Sequence, residues 1–134
     1  MQVQPYLFFD GRCQEAIDFY RKTLGAEVLM QMAFKDSPEP TMTPPGSGDK
    51  IMHATLRIGA TDVLMSDGMC GGKPAFGGFA LSVTPADDAA AKRVFAALGE
   101  GGVVNMPLAK TFFASSFGMV NDRFGVPWMV MVAA

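Results

Sequence analysis

The chain is poor in the side chains that most metal centres and disulfide scaffolds need: its 134 residues include two cysteines, one histidine and one tryptophan. Cys13 and Cys70 make no CxxC. One falls in a helical pattern and the other in a glycine loop, so they read as two free thiols. With His53 alone, a site of two or three imidazoles from a single subunit is impossible. No apolar run approaches the roughly 20 residues of a membrane-spanning helix, so a membrane is not an expected partner. Basic charge is also scarce: 11 Lys and Arg stand against 13 Asp and Glu, net -2, and are scattered along the chain, which argues against non-specific binding of nucleic acid. The segment MQVQPYLFF lacks the basic start and small-residue cleavage site of a signal peptide, so the expected location is cytoplasmic. What is plentiful is apolar material, 49% of residues against 18% charged, enough for one domain with a real core.

Taken in order, Gln2 to Phe9 reads as a strand with Pro5 near its start. Cys13, Ala16, Ile17, Tyr20 and Leu24 share one helical face, with Asp10 as a cap and Gly25 as the stop. A strand follows from about Glu27 to Phe34. Residues 35–49 hold four of the nine prolines and read as a mobile loop or lid. KIMHATLRI and TDVLMSD then form a hairpin across Gly59-Ala60. After the glycine loop at 68–78 the same order begins again. Phe79 to Val83 reads as a strand, and Thr84-Pro85-Ala86-Asp87 opens a helix, Thr84 as cap and Pro85 at its first position. That helix ends at Leu98-Gly99. Three strands remain, Val103 to Lys110, Ala114 to Val120 and Val126 to Val132, the last two joined by Asn121-Asp122-Arg123-Phe124-Gly125. Both halves thus read strand, helix, three strands, which predicts an α+β fold built from a duplicated βαβββ unit.

The segments FDGRCQEAIDFYRKTLGAE, MHATLRIG, DVLMSD and TFFASSFGMVNDRFGVPW, taken in this order, resemble the PhnB-like branch of the vicinal oxygen chelate superfamily, which includes glyoxalases, bleomycin-resistance proteins and extradiol dioxygenases. The resemblance implies one glyoxalase-like domain over 1–134. Module one would span about 1–67 and module two about 78–134, with curved mixed sheets lining a cup-shaped small-molecule site that is completed as a homodimer. Metal-dependent relatives place ligands on the inner faces of the first and last strands of each module. At the corresponding positions this chain offers Pro5, Met65, Gly78 and Met129, which do not ligate a hard or borderline divalent ion. The expectation is therefore no family metal site and no cofactor.

Two kinds of candidate remain. Met65, Phe76, Phe112, Phe113 and Met129 are the expected walls of a pocket for a small hydrophobic or aromatic molecule, the eleven methionines serving as pliable lining. Trp128 has the opposite parity to Met129 and is expected to face a helix. His53 shares a strand face with Thr55 and Arg57, and Asp67 lies on the side of Met65. His53 and Asp67 are therefore the candidate acid–base pair of an alternative reading, a lyase, isomerase or dioxygenase. Against that reading, His53 can be a strand-end residue and Asp67 a turn cap. A third reading is a domain whose main task is protein assembly. A methyltransferase finds no support, because Gly99-Glu100-Gly101-Gly102 follows a helix instead of linking a strand to one.

Overall fold

The computed structural model describes residues 1–38, 43–68 and 73–134. Two compact units divide the chain, Met1–Pro74 and Ala75–Ala134. The first runs β1 (Tyr6–Phe8), α1 (Cys13–Leu24), β2 (Glu27–Ala33), a single 3-10 turn (Phe34–Asp36), β3 (Ile51–Ile58) and β4 (Thr61–Ser66). The second runs β5 (Leu81–Val83), α2 (Asp88–Gly99), β6 (Val103–Ala109), β7 (Ala114–Asn121) and β8 (Pro127–Ala133). Each unit has one four-stranded sheet, ordered β1-β4-β3-β2 in the first and β5-β8-β7-β6 in the second. The first strand of each unit lies parallel to the last, and the other pairs are antiparallel. The duplicated βαβββ order expected from the sequence is the order observed.

Cross-strand partners point their side chains to the same side of a sheet. In the first unit Ala54 stands opposite Met65 and Leu56 opposite Val63. All four are buried, as are Leu7 and the α1 residues Cys13, Ala16, Ile17 and Tyr20. This is the helix-facing core, in which each large side chain contributes about 1.5–3 kcal/mol. The other face of the same sheet carries Tyr6 beside Leu64, Phe8 beside Ser66, and Thr55 opposite Leu64, with His53 two residues before Thr55. In the second unit Val120 faces Trp128 and Gly118 faces Val130 on the α2 side, while Met119 faces Met129 and Phe117 faces Met131 on the other. The α2 side is closely packed. A Cβ on Gly118 would sit 2.6 Å from Cε1 of Phe95 and 3.0 Å from Cα of Leu108. Strands β2 and β6 each carry two breaks in register, between Val28 and Met30 and between Met32 and Ala33, and between Val104 and Met106 and between Met106 and Ala109.

The helix starts differ from the sequence reading in instructive ways. Helix α2 begins at Asp88, four residues beyond Thr84. Asp87 is its cap, extended at φ -154°, and its carboxylate accepts from the Ala90 amide at 2.8 Å. The cap is not Thr84 but Asp87, which is followed by a second acid, Asp88, and this suits the positive helix end. In α1 the N-cap position is Arg12, with no side-chain cap of its own, and Asp10 instead accepts from the Lys73 amide at 2.7 Å. The C-terminal reading of α1 holds, with Gly25 left-handed at φ 64°. The first strand is also shorter than expected, Tyr6–Phe8 in place of Gln2–Phe9.

Asp88 accepts from both Ser115 Oγ at 2.7 Å and Ser116 Oγ at 2.6 Å, tying the start of α2 to β7. These two hydroxyl hydrogen bonds, Ser116 first, hold its carboxyl below the ordinary carboxylate range. A depressed folded-state value adds stability that is complete above the unfolded carboxylate pKa, near ~4, and is lost as the pH falls through the folded value. Asp88→Asn is therefore expected to flatten the acid limb of a stability-versus-pH curve measured by urea denaturation, leaving the neutral-pH slope unchanged.

Candidate functional site

Asp67 follows β4 on the helix side of the first sheet and is 1% exposed. Its Oδ1 accepts from the amides of Gly11 at 2.7 Å and Cys13 at 2.8 Å, and its Oδ2 from the amide of Ile51 at 2.8 Å. One carboxylate thus joins the β1–α1 loop, the first turn of α1 and the start of β3. This is the cap that α1 lacks locally, supplied from 54 residues away. Asp67 does not pair with His53, contrary to the expectation from the sequence. Because Met65 is registered with Ala54, its side of β4 is the α1 side, and His53 points the other way. Met65, expected on a ligand wall, is likewise fully buried in the core. Cys13 lies in that core too. Burial first, and then the negative charge of Asp67, push its thiol far up, so it stays protonated and is no nucleophile. Cys70 lies outside the described residues, as do 39–42 of the proline-rich loop and 69–72 of the glycine loop.

His53 sits on the open face of the first sheet. Its Nδ1 is 2.8 Å from the Tyr6 hydroxyl and its Nε2 3.3 Å from Thr55 Oγ1. The Tyr6 ring stacks on Phe8 at 4.9 Å between centroids, inclined by 28°. Met30 and Met32 pair with Thr55 and His53 across β2–β3 and complete this surface. Arg57, at the far end of the same face, is held by Asp62 at 2.9 and 3.4 Å.

The open face of the second sheet is rich in thioethers. Met106, Met119 and Met129 form a row across β6, β7 and β8, continued by Ser82 of β5. Met129 is where the strand parity placed it, opposite in direction to Trp128, which is buried with its indole N–H donating to Asp122 at 2.9 Å. Phe113 packs edge-on to both Phe112 and Phe117, each at 5.1 Å, and Phe117 is registered with Met131, so Phe113 borders this face. Phe112 is 97% exposed. Phe76 meets Phe79 at 6.5 Å ahead of β5, in the second unit. Sequence reasoning passed over Phe8, Phe117 and Met119. Met119 and Phe117 were findable, since the hairpin pairs them with Met129 and Met131.

The superfamily's metal is a poor match for these side chains. Of the four positions taken to be ligand sites, Met65 faces the core, and Pro5 precedes β1 with its carbonyl accepting from Leu64. Gly78 has no side chain, and Met129 alone is on an open face. By register, the open-face positions of the paired first and last strands are Tyr6 with Leu64, Phe8 with Ser66, and Ser82 with Met129. A phenol, a phenyl ring, an isobutyl group, two hydroxyls and a thioether do not make a site for a hard or borderline divalent ion. Among the described residues, no three His, Cys, Asp or Glu side chains gather into a group able to hold a metal.

This arrangement of one helix and four mixed strands, used twice, is a glyoxalase-like fold. It recurs in a member of the glyoxalase/bleomycin resistance protein/dioxygenase superfamily from Sphaerobacter thermophilus, at TM-score 0.60 and 17% identity over 98% of each chain, a likeness of fold. Residues 1–131 match the family model described as 3-demethylubiquinone-9 3-methyltransferase, and the chain belongs to that family. Protein YjdN of Escherichia coli (strain K12) is 39% identical over 140 residues, covering 98% of this chain and 95% of that one. Protein PA1353 of Pseudomonas aeruginosa superposes at TM-score 0.88 with 42% identity, covering 99% and 98% of the two chains. The PhnB protein of Bacillus cereus does so at 0.83 with 26% identity, covering 99% and 100%.

Proposed function

We propose that the protein binds a small apolar or aromatic molecule on the open faces of its sheets. The observation that carries this reading is the character of those faces. Tyr6, Phe8, Met30 and Met106 are each between 38% and 54% exposed, while the opposite faces of the same sheets are packed against helices. Exposed apolar surface of this kind marks a ligand or partner site, and thioethers adapt to irregular guests. A quinone ring, of the sort named in the family's description, is one molecule such faces suit. Methyl transfer has less to recommend it. Gly99 to Gly102 connects α2 to β6, so the glycines lead out of a helix and do not form a strand-to-helix phosphate loop. The homodimer implied by the family resemblance belongs to the same proposal, since a second copy can shelter part of the exposed surface.

A panel of aromatic, quinone and aliphatic compounds tests the reading by thermal shift. A ligand at about 100 times its Kd adds roughly 2.7 kcal/mol, which raises the melting temperature by several degrees. Met129→Glu is expected to abolish shifts produced by ligands of the second face. A panel in which no compound raises the melting temperature would overturn the proposal. Light scattering in the same buffer reads the oligomeric state.

A further inference from the structure

The open face of the first sheet carries a polar chain that no part of its apolar character explains. The geometry points to Tyr6, His53 and Thr55 as a proton relay that recognises an acidic hydroxyl on an aromatic ligand, a phenol or hydroxyquinone. The inference rests on the binding proposal above and specifies its ligand.

The chain is linear: Tyr6 Oη to His53 Nδ1 is 2.8 Å, and His53 Nε2 to Thr55 Oγ1 is 3.3 Å. In the neutral imidazole, Nδ1 accepts from the Tyr6 phenol, so the ring proton is on Nε2 and is donated to Thr55. The lone pairs of Tyr6 Oη then remain as the acceptor at the exposed end of the chain. A ligand hydroxyl donates to that oxygen. Proton transfer follows in one concerted shift: the ligand O–H bond breaks and its proton forms a new bond to Tyr6 Oη, while the original Tyr6 proton passes to His53 Nδ1. The products are a ligand oxyanion, a tyrosine that now donates to it, and an imidazolium whose Nε2–H remains satisfied by Thr55. Net charge is conserved, a neutral pair becoming an oxyanion and an imidazolium, and the reverse shift restores the resting state. The stacked Phe8 and Tyr6 rings offer a flat apolar platform for the ring that bears the hydroxyl. Tyr6 is the group that touches the ligand. His53 and Thr55 are positioning residues that act through it.

The test uses the full chain with two probes of similar shape, para-nitrophenol and nitrobenzene, at one pH near half-ionisation of the phenol. The wild type is expected to bind both and to raise the phenolate absorbance of para-nitrophenol on binding. Tyr6→Phe and His53→Gln should each weaken para-nitrophenol about tenfold, the scale of one charge-assisted hydrogen bond, and abolish the absorbance rise. Nitrobenzene affinity should fall by less than that of para-nitrophenol in both variants. Thr55→Val should reduce the rise and retain the fold by circular dichroism. A rise that survives Tyr6→Phe and His53→Gln, or an equal loss of both probes in these variants, overturns the relay. Wild-type binding of both probes with no rise also overturns the relay while leaving the binding proposal standing. Failure of the wild type to bind either probe overturns both.

Discussion

Asp67→Ala is expected to lower the unfolding free energy by about 3–5 kcal/mol, measured by urea denaturation at neutral pH. The substitution removes the acceptor for three amides, those of Gly11, Cys13 and Ile51, in a place closed to water. Each stranded donor costs about 1–3 kcal/mol, and partial relaxation of the loop keeps the total below the simple sum. Since a domain of this size has roughly 5–15 kcal/mol in all, the variant will be near the limit of folding. The result also separates two roles for the residue. If Asp67 acted on a ligand, the folded variant would lose binding at unchanged stability. The structure requires the opposite: a large loss of stability, with ligand shifts preserved in whatever fraction is folded.

Gly102→Ala is expected to cost about 2–4 kcal/mol, for a different reason. A Cβ at this position would overlap the Asn121 carbonyl oxygen and lie 2.9 Å from the Asp122 carbonyl carbon and 3.0 Å from its Cα. All three atoms are backbone, so no rotamer change relieves the clash. The hairpin they belong to cannot easily retreat. Asp122 is buried and accepts from the Phe124 and Val126 amides at 2.9 and 3.1 Å as well as from Trp128. Calorimetry on Gly102→Ala reads the loss directly, and a melting temperature equal to wild type would show that the close approach is not maintained in solution. The same contact explains the glycine at 102, which lets the start of β6 approach the β7–β8 turn this closely.

The parts of the fold that were legible from the sequence are those fixed by local pattern. Strand alternation placed Trp128 against the core and Met129 away from it, and the Asn121–Gly125 turn appears where an Asx residue and a glycine called for one. The duplicated order was legible because both units punctuate their first helix-to-strand passage with Leu-Gly. What escaped was set by partners distant in sequence. Parity continued one residue past β4 groups Asp67 with Met65, but only the register with β3 says which side of the sheet that is. One residue of difference in register moves a whole strand's side chains to the opposite face. His53 was found on its own strand. Its real partner, Tyr6, lies 47 residues earlier on a three-residue strand, where no periodicity distinguishes Tyr6 from Leu7 or Phe8.

The breaks in register along β2 and β6 have a consequence for solubility. These are rim strands, each paired on one side only among the described residues, and both expose apolar side chains, among them Leu29 and Met30 on β2 and Val103 and Val104 on β6. A straight rim of that composition is a template onto which another chain can add a strand and begin a fibre. Here the outward row of backbone donors and acceptors is interrupted twice on each rim, and in β6 Pro107 has no amide hydrogen to offer. The irregularities leave apolar sheet surface exposed without presenting a continuous edge for polymerisation.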